Sequence, residues 1–399
     1  MDEDFGHIVI GAGISGLGMA HRSVKCGVPT LVLEGGDRVG GCMNTRTFPD
    51  CDDFWTEAGS HTCFNSYGNL LGILTDLGLM ERLTGKGKLR YQLWRNNECR
   101  SIFSSLHPWE LIRSLPRLFS GTKAGKGVAE FFGAGFGHCN YRDLFGPAFR
   151  AIVCQEADDF PADLLFRRKP RQKEIMRSFT FPGGLAEIPQ AIARQDALEV
   201  RIGQRVSRLV HEDDGYQVRT ASGEVFRSRS LTLAVPPDAA AVLLPEGPEE
   251  LRNLVGGIGV SEIETVVLCV PAVAIEHLSP LAGLIAVDDA FYSMVSRDYL
   301  PDDRYRGFAF HFRPRKLDAD AQTEGICRAL GIAPEQIAGL SRVSNRLPAL
   351  RAGHSELVRK MDALLAGGRL AMTGNWFLGV SIEDCLTRSH QECERLFPG

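Results

Sequence analysis

The chain has 399 residues, with 45 lysines and arginines against 49 aspartates and glutamates and a formal net charge of −4. That length buries a large core and predicts two domains or one elaborated one, while the charge balance excludes any global attraction to nucleic acid. Eleven scattered cysteines without a C-x-x-C pair read as reduced thiols of a cytoplasmic chain, not as a metal site or a disulfide framework.

The acidic start M-D-E-D-F-G runs straight into an apolar segment, so neither a secretory signal nor a basic transit segment is expected. His7 to Ile10 predicts a strand, and Gly11, Gly13 and Gly16 follow it at G-x-G-x-x-G spacing, with Ile14 and Ser15 opening a helix. The first glycine permits a sharp turn, the second lets backbone approach a pyrophosphate, and the third lets helix and strand pack closely. Bare N–H groups at the helix start would then hold the anion. A second strand, Thr30 to Leu33, ends in Glu34, whose carboxylate suits the two hydroxyls of an adenosine ribose. Glu34 disfavours NADP and leaves NAD and FAD open.

Further on, Glu34-x-x-x-Arg38-x-Gly40-Gly41 is followed by E-x-G-x-H at Glu57 to His61 and by an L-L-x-x-L-x-x-L-G-L helix at Leu70 to Leu79. In these motifs the chain resembles the flavin-containing amine oxidase superfamily. The resemblance implies FAD and a Rossmann-like α/β FAD-binding domain, with an interleaved α+β substrate domain and a helical subregion, and the lack of an S-G-G-C-Y segment of the monoamine oxidase kind points to noncovalent FAD. It departs from the family at Cys42, where many members carry an arginine near the FAD phosphates; Arg38 and Arg46 are the candidates to supply that charge.

Residues 89–149 interleave aromatic and basic residues without a strong strand pattern. Within them, residues 102–119 suit a basic amphipathic helix that either lies on an anionic membrane or covers its own core, and Pro108 and Pro116 limit its length. The glycine-rich residues 121–137 read as a mobile loop or lid. Tyr141 to Cys154 reads as helix, and the basic run Arg167 to Lys173 as a solvated face.

F-P-G-G-L at Phe181 to Leu185 then leads to a helix and to strands near Val200 to Val210, Tyr216 to Thr220 and Val225 to Arg227. In the superfamily Val206 matches a position whose backbone meets adenine. Ser261 to Val270 and Phe308 to Arg313 read as strands of a sheet walling a substrate cavity, with Tyr292, Phe310 and Phe312 as lining candidates. The C-terminal segment G-N-W-F-L-G-V-S-I-E-D-C predicts a strand ending at Gly374-Asn375 and a helix opening near Gly379, Val380 and Ser381. Such a helix start aims N–H groups at a cofactor. In the superfamily this segment faces the flavin's pyrimidine end, and here it looks most similar to protoporphyrinogen oxidases.

The expected layout is therefore FAD-binding segments at 1–85, 181–240 and 346–399, a helical cap at 86–180 and a substrate sheet at 241–345. The resemblance implies an FAD-dependent oxidase or desaturase with a small-molecule substrate and O2 among its acceptors. An amine oxidase, a non-redox flavoprotein similar to UDP-galactopyranose mutase, and an FAD-free binding module of the Rab escort type stay open as alternatives. His61 is the catalytic candidate, because an imidazole in this loop can orient substrate or take a proton. Trp376 is a candidate for an aromatic wall or, equally, for packing behind the cofactor.

Overall fold

Two uncharged apolar runs, His7 to Ile10 and Thr30 to Leu33, demand burial on both faces, as parallel strands do. In the computed structural model, which describes residues 3–244 and 249–398, they are neighbours. Strand β1 (Glu3–Ile10) pairs in parallel with β2 (Thr30–Leu33) on one side and with β3 (Val225–Leu233) on the other. Leu198–Arg201 extends this sheet beyond β2, and the antiparallel pair Gly215–Thr220 and Val206–Glu212 extends it beyond β3. Leu370–Met372 joins the far end of β3 in parallel, so residues from both ends of the chain meet in one sheet.

The helix Ile14–Lys25 connects β1 to β2 and packs on the C-terminal helix Ile382–Leu396. Close approach is what Gly18 permits, since a Cβ there would stand 2.3 Å from Leu386 Cδ2. Across the same contact the Ser389 hydroxyl donates to the Ser15 carbonyl at 2.8 Å.

A second sheet is built around β4 (Gly259–Pro271), which lies between Gly339–Ala349 and β6 (Tyr305–Phe312). The order continues from β6 through β5 (Phe291–Ser296), Gly283–Ala286, Tyr91–Arg95 and Glu98–Ser101. One face packs on the helix Ala319–Leu330 through Phe291, Met294, Phe308, Phe310, Phe312 and Ile326. The other face meets the segment Phe48 to Ala58 through Val267, Cys269 and Ala309.

Several expectations are corrected. Residues 91–101 form a hairpin of the second sheet, turning through Asn96 and Asn97 with φ of 53° and 60°. The single helix expected over 102–119 is broken by its prolines into a 3-10 turn, Ile102–Ser105, and the short helices Pro108–Ser114 and Pro116–Ser120. It leaves Phe103, Trp109, Ile112 and Phe119 exposed beside Arg113 and Arg117. The glycine-rich lid is in part a helix, Val128–Phe136, whose Gly135 abuts Leu118. The boundary expected at 345/346 falls inside the strand Gly339–Ala349. Among the described residues, no helix is long and apolar enough to cross a membrane.

Burial also puts His7 in the sheet, with Nδ1 on Ser23 Oγ and Nε2 on Thr232 Oγ1, both at 2.8 Å. Enclosure pushes its pKa from 6.5 to about 3. As pH falls below 6.5 the unfolded chain takes a proton here that the folded chain refuses, so stability is lost on acidification until pH reaches the folded value. From this residue alone we expect about 2 kcal/mol to be lost between pH 7 and pH 5. Urea unfolding of the wild type and of His7→Asn at both pH values checks this: the variant's loss should be smaller by that amount, and equal losses would refute it.

Candidate active site

The loop after β1 is shaped by atoms that exclude side chains. Gly11 sits at φ +103°, and a Cβ there would be 2.5 Å from the Ala234 carbonyl oxygen; at Gly16 it would be 1.9 Å from the Gly11 oxygen. Gly13 is different, because a Cβ there would meet no atom within 4 Å. It caps the first helix with no side-chain bond, so the leading N–H groups of that helix have no capping partner. Gly40 docks alongside, its N–H donating to the Ala12 carbonyl at 2.8 Å and bridging to Gly13, and Gly41 approaches the Gly13 Cα.

Glu34 is fixed in two places: Oε2 accepts from Ala12 N at 2.8 Å and Oε1 from Gly36 N at 2.7 Å. Residues 203–205 lie against this turn, with Gly203 N donating to Gly36 O, Gln204 N to Glu34 O, and Arg205 packed on Gly35. Arg38 donates to the carbonyls of Val39 and Gly41. Its pKa is lowered by burial first and by the like charge of Arg46 second. Arg46 Nε is buried with no hydrogen-bond partner. Two neighbouring guanidiniums, an orphaned donor and an uncrowded glycine form a cradle that fits a pyrophosphate.

The C-terminal segment supplies a second helix start, on the helix that packs against the first one. Ser381 caps the helix Ile382–Leu396 in a reciprocal box with Asp384, and a Cβ on Gly379 would be 2.7 Å from Asp384 Oδ2. Lys169 Nζ donates to Asp384 Oδ1 at 2.7 Å and to Ser381 Oγ at 3.1 Å. The basic run read as a solvated face thus sends one cation to a helix N-terminus. Gly374 is buried and Asn375 half-buried at the turn.

Trp376 is fully buried, tilted against the Phe377 ring, and donates its indole N–H to Val235 O. It is core behind the turn and not an aromatic wall. Phe310 and Phe312 are corrected in the same way: strand alternation turns them to the face packed on Ala319–Leu330. Tyr292 differs, because the register shift between Phe291 and Ser293 re-aims it. It neighbours Glu156, Arg313 and Cys154, and Cys154 in turn neighbours Cys42 of the glycine loop.

His61 lies at the seam between the two sheets. Ser60 N donates to the Cys42 carbonyl at 2.9 Å, which ties this loop to the residue after Gly41. His61 Nε2 meets His311 Nε2 of β6 at 3.0 Å, and His311 Nδ1 meets Thr265 Oγ1 of β4 at 3.1 Å. Burial and the neighbouring His311 and Lys86 push the His61 pKa well below its usual value, and burial takes His311 to about 4.

Three residues here were not singled out from the sequence. Lys86 donates to His61 O at 2.7 Å and to Thr62 Oγ1 at 2.6 Å, with its ammonium 3.4 Å from the Tyr299 ring centroid. Glu57 is 1% exposed and accepts from Thr45 Oγ1 and Leu185 N, and burial raises it to about 7. His311 is the third; its only sequence mark is one polar residue in the apolar alternation F-A-F-H-F.

With this geometry in view, residues 128–396 match the family model "Flavin containing amine oxidoreductase" and residues 9–77 match "NAD(P)-binding Rossmann-like domain". The chain belongs to the flavin-containing amine oxidoreductase family. Its cofactor is accordingly FAD, and the cradle just described fits it. Among relatives, the chain is 24% identical over 294 residues to "Lysine-specific histone demethylase 1 homolog 2" of Oryza sativa subsp. japonica, covering 67% of this chain and 37% of that protein. It is 22% identical over 270 residues to "L-amino acid dehydrogenase" of Synechocystis sp., covering 58% and 56%. The chain therefore spans well under two thirds of the length of these relatives. The crystal structure of a putative protoporphyrinogen oxidase from Exiguobacterium sp. 255-15 superposes with a TM-score of 0.79 at 16% identity, over 100% of this chain and 99% of that one. At that identity the likeness is one of fold.

Proposed function

We propose that this flavoprotein is an FAD-dependent oxidase or desaturase that removes two hydrogens from a small organic substrate, in the manner of protoporphyrinogen oxidases. The observation that supports the reading is the open glycine turn at Gly13 together with the helix start at Gly379 to Ser381, held near each other by the packing of their two helices. Bound FAD supplies N5 as the hydride acceptor, with O2 as a terminal oxidant.

The chain's own residues do the rest. Glu34 would hold the ribose hydroxyls, with the backbone at Val206 beside the adenine. Gly13, Ile14, Ser15, Arg38, Gly40, Gly41 and Arg46 would hold the pyrophosphate. Gly374, Asn375, Gly379, Val380 and Ser381 would hold the flavin end, noncovalently. Tyr292, from the second sheet, and His61, from the loop bonded to Cys42, would orient substrate.

A second reading, amine oxidation, is favoured by the family description itself. The test is an absorbance spectrum of purified protein followed by anaerobic titration with partly reduced conjugated rings or chains and, separately, with primary amines. Yellow protein bleached by the former supports the proposal. Bleaching by amines, with ammonia released on reoxidation, selects the second reading, and colourless protein removes both.

A further inference from the structure

We propose that His61 and His311 act as one proton-holding unit spanning the seam between the two sheets, taking the proton that leaves the substrate when its hydride departs. The inference rests on the dehydrogenation reading above and adds His311, which the sequence did not single out, to the His61 candidate as the second half of the base.

Geometry sets the proton count. Two imidazoles whose Nε2 atoms stand 3.0 Å apart hold a single hydrogen between them, because two would clash and none would leave two lone pairs facing. The rings meet edge to face, at 68° with centroids 5.1 Å apart. On the far side His311 Nδ1 ends at Thr265 Oγ1, a group that can donate or accept as the tautomer requires. On the near side, no residue among those described hydrogen-bonds His61 Nδ1. That atom is the free end of the unit, on a loop whose backbone is bonded to Cys42 beside the pyrophosphate cradle.

A proton accepted at His61 Nδ1 lets the shared hydrogen pass from His61 Nε2 to His311 Nε2, leaving the charge on His311. His311 Nδ1–H, already present in the tautomer whose Nε2 accepts from His61, keeps its bond to the Thr265 hydroxyl while the ring is charged. The substrate loses one hydride, with its electron pair, to the flavin and one proton to the histidines, so atoms and electrons balance. Lys86 is a positioning residue in this arrangement, since its ammonium clamps the His61 carbonyl and the Thr62 hydroxyl and so fixes the ring's approach. Glu57 and Cys63 are the further ionisable groups on that side, both felt by Lys86.

A burial role alone explains one partner for each ring but not an Nε2 to Nε2 contact between segments 250 residues apart that leaves an Nδ1 open. The distinction can be read without knowing the substrate. Purified holoprotein is reduced coulometrically through methyl viologen in weakly buffered solution, between pH 6.5 and 8, with phenol red reporting proton uptake. Reduction to the anionic two-electron flavin takes up one proton at the flavin itself. The wild type should take up two per flavin, because the negative charge of the reduced flavin would lift the histidines from the low values that burial gives them in the oxidised protein, whereas His61→Asn and His311→Phe should take up one. His311→Gln, which keeps a polar partner for His61, guards against a folding failure and should also take up one.

Yellow wild-type protein that takes up one proton overturns the proposal and leaves the dehydrogenase reading intact. So does uptake of two protons in the variants. Protein that binds no flavin removes the reading on which the proposal rests.

Discussion

Gly13→Val should give a folded, colourless protein, and Gly16→Val should give none that folds. The two glycines belong to one motif, yet their surroundings are opposite. At Gly16 an added Cβ would stand 1.9 Å from the Gly11 carbonyl oxygen, backbone that cannot retreat without breaking the turn into the first helix. Overpacking with flexible neighbours costs about 1–3 kcal/mol, and a rigid clash in the central strand-to-helix turn exceeds that. At Gly13 φ is −69° and ψ 174°, a conformation valine adopts, and a Cβ meets nothing within 4 Å.

The space that Gly13 leaves open is where the pyrophosphate would approach the helix N–H groups. A branched side chain there should remove one or two charge-assisted hydrogen bonds, about 3 kcal/mol or on the order of 100-fold in FAD affinity. Circular dichroism and thermal unfolding report the fold, and visible absorbance after desalting reports the flavin. Stoichiometric flavin in Gly13→Val would refute the placement of the pyrophosphate.

The second large effect is expected at Arg388, on the C-terminal helix that Ser381 caps. Its side chain is 4% exposed and binds Asp362 and Glu392, each at 2.7 Å. Its Nε–H donates to Met372 O at 3.0 Å, and the guanidinium lies 4.1 Å from the Phe377 ring centroid. One residue thus joins this helix to the helix His354–Leu365, to the strand Leu370–Met372 and to the aromatic turn after it. Removing one member of a buried ion pair costs about 3–5 kcal/mol, because the remaining charge is left desolvated.

Arg395 also binds Glu392, at 2.6 Å, and keeps that carboxylate partly neutralised. Arg388→Ala should therefore fall at the lower end, about 3 kcal/mol, with flavin released at a lower temperature than in the wild type. Chemical denaturation in the presence and absence of added FAD measures both. A loss below about 1 kcal/mol would show that the network is an ordinary surface one.

How much of this was legible beforehand follows from the kind of interaction involved. The cradle at Gly11, Gly13, Gly16 and Glu34 and the helix start at Ser381 are local: each depends on backbone geometry within a few residues, which glycine spacing and capping residues announce. The hairpin at Asn96-Asn97 was equally readable, since that pair suits a turn with two positive φ values, and the aromatic-basic composition around it drew attention away. Phe310 and Phe312 were misplaced because alternation tells which residues share a face but not which face looks into the site. For Trp376 only the tertiary structure chose between wall and packing, its indole N–H being spent on a carbonyl behind the turn.

By itself, then, the amino-acid sequence determined the nucleotide-binding halves, the family and the flavin, because these are encoded in short runs where chain direction and hydrogen-bonding capacity are set by neighbours. Only the tertiary structure decided what stands around the chemistry. It brought His311 to His61, Lys86 to the His61 carbonyl and Lys169 to Ser381 and Asp384. Those meetings join residues far apart in the chain, and their energies come from burying partnered polar groups between packed sheets and helices, a condition that exists only once the chain has closed.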